Sequence, residues 1–342
     1  MELLSHPRKG AMYMLPMRFL FHDQSLAETA LSYWPHDAEQ KSFGQRFRIS
    51  ANAVYPYVFQ SNLHFLRLSP VVEKSEIMVA AELQFITHLL QSGFPALKPD
   101  LALDGENLVA ISHQGQQYNV TSFAAVPGRQ LSDMDLTPEL LAGYGSALAQ
   151  LHIHSSNFVP GKLRRPDCNN ILDWIETSLQ HDEEAAGAMA EVSLLRQAFG
   201  ALPRGVADFG LIHYDFEPDN VFHDTRSGAF HVIDFDDCHY HWYAMDVVGV
   251  LAELEDQDGS SAFATDSAKH FLAGYRCLRD LPQELLEAEE IFRRYRALYG
   301  FTRVVRCLRD GVPSPQPDWM VSLRQRLNEI KTQRSRYFGQ PL

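Results

Sequence analysis

Two short acidic segments hold the residues best suited to chemistry. Residues 213–220 read "HYDFEPDN", and residues 232–237 read "VIDFDD". Asp215 and Asn220 stand five positions apart, and Asp234 follows a stretch that reads as a β-hairpin, "NVFHD" to "GAFHVIDF". Such a hairpin brings Asp234 back beside Asn220. An Asn amide oxygen and a carboxylate make an oxygen-only set, which suits a hard cation such as Mg²⁺. A further carboxylate beside that pair, not tied up by the metal, can accept a proton from a hydroxyl. Metal, base and positioning are the minimum equipment for phosphoryl transfer from a nucleotide.

These residues need a scaffold, and the chain changes character once along its length. Between about 43 and 69, apolar residues recur with a period near two, and "QSN" (60–62) reads as a turn; the pattern predicts three antiparallel strands. "KSEIMVAAELQFITHLLQSG" (74–93) is an amphipathic helix that Gly93 stops. Two more strand-like runs follow, "DLALDGENLVAISH" with a turn at Asp104-Gly105, and "QQYNVTSFAAV". Pro127-Gly128 then breaks the pattern. Beyond it the chain is mostly helical, starting with the Thr137-Pro138-Glu139 helix start and including 283–309 and 317–335. Residues 1–125 are therefore read as one lobe, a small antiparallel sheet with one long helix. Residues 126–342 are read as a mostly helical second lobe carrying the acidic segments.

Bulk properties limit the function classes. The 342 residues are 45% apolar and 21% charged, the profile of a folded globular chain with room for a large core. A net charge of −13 argues against nucleic-acid binding driven by phosphate neutralisation, and favours a cationic small molecule if it favours any charge. No apolar run approaches membrane-spanning length, and the first residues lack the pattern of a signal peptide. Four scattered cysteines without a CxxC pair fit free thiols in the cytoplasm.

The spacing of the acidic segments matches the second half of the kinase signature, His-Arg-Asp-Leu-x-x-x-Asn followed by Asp-Phe-Gly. Here the elements are His213-Tyr214-Asp215, Asn220 and Asp234-Phe235-Asp236. In this form, with "CHYHWYAMDVVGVL" behind it, the chain resembles the aminoglycoside phosphotransferase/choline kinase-like family over about residues 40–330. The resemblance implies an α+β, two-lobed protein kinase-like fold with ATP and Mg²⁺ as cofactors. It implies that Asp215 is the base that orients or deprotonates the acceptor hydroxyl, and that Asn220 and Asp234 bind the metal. His213 is expected to orient the loop. Asp236 is expected either to assist a second metal or to be an exposed or helix-capping carboxylate. Asp237 is read as structural, Asp246 as a helix cap or loop brace, and Glu217 and Asp219 as loop-shaping or solvated.

The same resemblance places a nucleotide loop at 50–58. That loop has no glycine, so Ser50, Asn52 and backbone amides would cover the phosphates. Arg67 stands where such enzymes carry a phosphate-binding lysine; its guanidinium stays charged and holds phosphate with two donors. Glu82, among apolar neighbours, is its expected partner, with Glu76 as the fallback. Adenine would be held by backbone groups of Ser122 to Ala124. The acceptor would be a hydroxyl of a small molecule such as an amino sugar, amino alcohol or homoserine-like compound. Glu255, Glu290, Tyr295 and Tyr299 would line its pocket or serve as ordinary helix positions.

Three other readings stand beside this one. His213, His223, His231, His239 and His241 with the aspartates could form a metallohydrolase centre, although no named zinc spacing is present. The missing glycines and Arg67 suggest a nucleotide-binding pseudokinase. A protein Ser/Thr kinase would share the chemistry, but no Ala-Pro-Glu segment follows "DFD".

Overall fold

The computed structural model describes residues 15–20, 22–39, 47–49, 52–182, 185–254, 265–309 and 316–341. After a turn at Met17–Phe19 comes helix α1 (Gln24–Leu31), whose first turn is capped by the Asp23 side chain accepting the Leu26 amide. Strands β1 (Arg48–Ile49), β2 (Ala53–Phe59) and β3 (Asn62–Pro70) follow. The β2–β3 turn places Gln60 and Ser61 at φ +50° and +62°, the left-handed pair that a tight two-residue hairpin needs. Helix α2 (Glu76–Gln91) starts at Ser75, which caps the Met78 amide, and strands β4 (Val109–His113) and β5 (Gln116–Ala124) complete a sheet of order β1-β2-β3-β5-β4. All its pairings are antiparallel.

Period-two alternation decides what each face of this sheet meets. Tyr55, Tyr57, Leu66 and Leu68 pack with α1 residues Leu26, Ala27 and Leu31 in one cluster. Arg67 and Ser69 face the other way, toward α2. The run at 100–113 is less regular than its sequence suggests. Only Val109–His113 is strand, because the turn at Asp104-Gly105 (Gly105 φ +89°) and its Asp104–Glu106 hydrogen bond keep the preceding residues out of the ladder. The expected first strand appears at Arg48–Ile49, Phe47 before it is outside the ladder, and residues 43–46 and Ser50 lie outside the described residues.

Beyond β6 (Arg129–Gln130) the chain forms α3 (Pro138–Ser156), α4 (Cys168–Leu179) and α5 (Ala186–Ala201). Four short strands come next: β7 (Phe209–Ile212), β8 (Val221–Asp224), β9 (Ala229–Val232) and β10 (His239–Trp242). Helices α6 (Tyr243–Glu253), α7 (Asp266–Arg276), α8 (Gln283–Glu287), α9 (Glu289–Arg309) and α10 (Asp318–Ser335) close the chain. The periodicity that predicts one helix over 283–309 is broken at Ala288, whose ψ of 11° ends α8 before α9 begins. Thr137 caps α3 as its sequence predicts, and Asp167 with Asn170 forms a capping box on α4.

The N-terminal segment does not stay with the sheet. Leu15, Met17 and Leu20 are buried with Val304, Cys307, Met320 and Leu327 of α9 and α10. The α3–α7 contact is closer still. A Cβ on Gly274 would lie 1.8 Å from the Ala142 carbonyl oxygen, and one on Gly145 would lie 2.0 Å from that of Phe271. Either glycine changed to alanine is therefore expected to force the helices apart and cost about 1–3 kcal/mol. Chemical denaturation measures this directly, and an unchanged midpoint would contradict the close approach.

Candidate active site

The loop after β7 is shaped before any ligand arrives. Tyr214 has φ +73°, a costly conformation for a bulky residue. Asp246, on the first turn of α6, holds it: its two oxygens accept the His213 amide at 2.9 Å and the Tyr214 amide at 2.7 Å. His152 of α3 reaches the same carboxylate at 3.1 Å and Tyr275 of α7 at 2.8 Å. Burial alone would raise the Asp246 carboxyl; the hydrogen bond with His152, joined by the His213 contacts, outweighs it and holds the group below its usual range. Asp246 therefore braces the loop and caps no helix.

His213 is fully buried. Its Nε2 pairs with the Ile233 carbonyl at 2.9 Å, and its Nδ1 takes the Asp215 amide at 3.3 Å. That assigns the proton to Nε2 and ties the loop to the segment carrying Asp234. The β8–β9 hairpin does the same from outside, since the Ile233 amide donates to the Asn220 carbonyl at 3.0 Å. Asp234 is thereby returned next in chain to the residue paired with Asn220.

Asp215 is largely buried, and its two oxygens differ. Oδ2 accepts the Asn220 amide nitrogen at 2.9 Å, whereas Oδ1 is buried with no hydrogen-bond partner among the described residues and lies 3.9 Å from Arg296. Burial first, then the neighbouring Glu217, pushes the Asp215 carboxyl well above the ordinary carboxylate value, with Arg296 opposing. Glu217 is not solvated: it is paired with Arg296 of α9, which also donates to the Tyr214 carbonyl at 2.9 Å. Asp234 sits at φ +64°, partly exposed, and burial together with Asp236 raises its carboxyl to about 7, Arg67 opposing. Its carboxylate has no hydrogen bond to the described residues.

The sheet lobe contributes a buried ion pair. Arg67 Nη1 and Nη2 meet Glu82 Oε1 and Oε2 at 2.7 and 2.9 Å, with the guanidinium 5.1 Å from the Phe123 ring. Arg67 Nε is buried without a hydrogen-bond partner among the described residues. Asn52 does not stand free over phosphates as expected. Its Nδ2 donates to Asp236 Oδ2 at 2.5 Å, and its Oδ1 accepts from Ser69 at 2.6 Å. Asp236 is correspondingly neither exposed nor capping: it is 4% exposed, held by Asn52 and, at 3.2 Å, by Lys74. Both donors reach the same oxygen of Asp236, Oδ2. The adenine expectation also needs correcting. The Ser122 carbonyl accepts the Asp100 amide at 2.8 Å and the Ala124 amide donates to Lys98 at 3.1 Å, so the chain itself occupies those groups.

Four basic residues had no role in the sequence reading. Lys74 Nζ meets the Asp236 carbonyl at 2.8 Å and Asp237 at 3.1 Å; Arg303 meets Asp237 at 2.7 Å. Arg165 donates to the Asp236 and Cys238 carbonyls, each at 2.6 Å, and Arg296 grips the loop after β7. Burial would raise the Asp237 carboxyl, but Arg303 and then Lys74 hold it far below its usual range. Only the spacing of Arg296 and Arg303, seven apart and hence on one helical face, hinted at any of this. Among the described residues no group of three or more His, Cys, Asp or Glu is placed to hold a metal, which leaves the metallohydrolase reading without a ligand set. Tyr295 and Tyr299 are buried in the core beside His239 and Tyr214, Glu290 is on the surface of α9, and Glu255 lies outside the described residues.

Comparison with known proteins follows this geometry. The model of the phosphotransferase enzyme family matches residues 61–281. The chain is 22% identical to amicoumacin kinase of Bacillus subtilis (strain 168) over 294 residues, covering 82% of this chain and 85% of that protein. It is 30% identical to homoserine kinase of Caulobacter sp. (strain K31) over 226 residues, 64% of this chain and 67% of that protein. The solved structure of amicoumacin kinase hAmiN in complex with AMP-PNP, Ca²⁺ and Ami superposes with a TM-score of 0.73 at 21% identity, covering 92% and 94% of the two chains. The two-lobed α+β kinase-like fold is thus shared.

The buried groups set two expectations. Glu82→Ala strands the buried Arg67 charge and should cost about 3–5 kcal/mol, read as a lowered unfolding midpoint that Glu82→Gln partly restores. Burial holds His152, His213 and His241 below their usual value and His239 down at about 4. The unfolded chain takes up these protons near pH 6.5. Their contribution is therefore complete above about pH 6.5 and is lost as pH falls toward the folded values. Melting curves between about pH 7.5 and 5 should show a falling midpoint; a flat profile would contradict the buried neutral imidazoles.

Proposed function

The chain belongs to the phosphotransferase enzyme family, and from that premise we propose that it moves the γ-phosphoryl group of ATP to a hydroxyl of a small molecule, with Asp215 as the base. The observation that carries this reading is the asymmetry of Asp215, one oxygen anchored by Asn220 and the other buried without a partner. An acceptor hydroxyl donating to Oδ1 would supply the missing hydrogen bond. As its oxygen bonds to the γ-phosphorus and the bond to ADP breaks, its proton passes to Asp215.

The donor set near Asp234 fits a hard divalent cation. Asp234 offers a partly exposed carboxylate without a hydrogen bond to the described residues, and Asn220 is held beside it through the Ile233 amide. These two residues would hold Mg²⁺, which when bound neutralises charge on the phosphates. Arg67, fixed by Glu82, would present its remaining N–H groups toward phosphate oxygens. Pro56, Phe65 and Phe123 pair across neighbouring strands in one line on the Arg67 face, and Pro56 and Phe65 are only partly buried. That line forms an apolar floor for an adenine ring, with contacts beyond Ala124 replacing the occupied backbone groups.

The acceptor side is acidic. Burial raises the Glu217 carboxyl, Glu253 and Asp219 add to the rise, and Arg296 opposes it. This favours an acceptor with a cationic group, such as an amino alcohol or amino sugar. The cysteines at 168, 238, 277 and 307 form no disulfide with one another, which fits a reducing cytoplasm.

An ATP-consumption screen over hydroxylated amines, alcohols and sugars tests this reading. Turnover is expected with one acceptor class, and Asp215→Ala should lower kcat by roughly 10²–10⁴-fold. A variant matching wild type would remove Asp215 as the base. Absence of any turnover, with no melting shift on adding ATP and Mg²⁺, would remove the kinase reading altogether.

A further inference from the structure

One face of α9 touches each part of the site. Arg296, Tyr299, Arg303 and Arg306 are spaced three, four and three apart, so they lie in one row. Arg296 grips the catalytic loop through the Tyr214 carbonyl and Glu217. Tyr299 packs against the Tyr214 ring at 5.3 Å and reaches Asp237 at 3.4 Å. Arg303 takes Asp237 Oδ2 at 2.7 Å. Arg306 makes a two-point pair with Glu73, at 2.9 and 3.0 Å. Glu73 immediately precedes Lys74, which returns to Asp237 Oδ1. Asp237 is thus held on one oxygen from α9 and on the other chiefly from the sheet lobe.

This grip has something to hold. Asp234, three residues earlier, sits at φ +64°. A non-glycine residue keeps such a conformation only where its surroundings over-determine it. The turn from Asp234 to Cys238 is fixed at its far end by Arg303 and Lys74 on Asp237, and by Arg165 on the Asp236 and Cys238 carbonyls. We infer that Arg303 is a positioning residue for the phosphoryl transfer: with Lys74 it clamps Asp237, and through that clamp keeps the Asp234 carboxylate aimed at the metal position. The inference rests on the kinase reading above, in which Asp234 is a metal ligand. It gives Asp237 a task beyond packing, because loosening the clamp lets Asp234 relax toward an ordinary φ and turn away.

Titration calorimetry with AMP-PNP, in Mg²⁺ and separately in EDTA, tests this without knowing the acceptor. Wild type is expected to bind more tightly in Mg²⁺. Arg303→Met is expected to lose roughly tenfold of that metal-dependent gain, with binding in EDTA unchanged, and Arg303→Lys should recover part of it. If Arg303→Met keeps the full gain, or loses affinity equally in both conditions along with its melting temperature, the clamp is merely structural and the inference fails. Should that variant not fold, Arg303→Met/Asp237→Asn decides, since it leaves no carboxylate stranded and Lys74 keeps Asp236. Loss of the metal-dependent gain in the double variant supports the inference, and wild-type behaviour overturns it. Wild type failing to bind AMP-PNP in either condition would instead remove the kinase reading, and the inference with it.

Discussion

Asp246 lies 1% exposed at the start of α6, and its two oxygens accept the consecutive amides of His213 and Tyr214. Tyr214, at φ +73°, bends the chain immediately after these two amides. The direction of the next residue, Asp215, follows from that bend. The carboxylate is in turn located by His152 of α3, and His152 by Tyr275 of α7. The tight α3–α7 crossing at Gly145 and Gly274 is thus more than core packing: it sets the position of the brace under the loop after β7.

Charge burial follows one rule throughout the site. An isolated buried charge is prohibitively costly, and a paired one is tolerable when its remaining donors and acceptors are met. Arg67 and Glu82 satisfy each other at two points. Asp236 and Asp237 are matched by Asn52, Lys74 and Arg303. Against this background, Oδ1 of Asp215 and Nε of Arg67 are buried without a hydrogen-bond partner among the described residues, and Asp234 is partly exposed. Vacant hydrogen-bonding capacity in a site otherwise closely accounted for is what substrates and a cation would complete.

These pairings also join the two halves of the molecule. Asn52 and Lys74 come from the sheet lobe and end on the turn after Asp234, while Glu73 pairs with Arg306 of α9. The start of α2, and with it Glu82, is therefore anchored to the helical lobe, so Arg67 is held against the same turn that carries Asp234. No glycine precedes β2 in this stretch, and the Asn52 side chain ties the start of the strand to the turn after Asp234.

Much of the site was legible because its spacing is local. Five residues separate Asp215 from Asn220, and the hairpin between Asn220 and Asp234 shows in period-two alternation. The Arg67–Glu82 pair was readable for a related reason: an acid on the apolar side of a helix demands a partner, and the preceding strand offered one. What could not be read were contacts across long stretches of chain. Lys74 and Asp237 are 163 positions apart, and Arg303 and Asp237 are 66 apart. Nothing in the local pattern of α9 separates an arginine that grips a buried carboxylate from one that faces water. The adenine contact failed similarly, since only the folded path of residues 98–100 shows that Ser122 and Ala124 are already paired. The sequence alone determined which residue types meet along neighbouring stretches, hence the reaction class. Tertiary structure decided which charges are buried together, because burial and distant pairing arise only when separate elements pack.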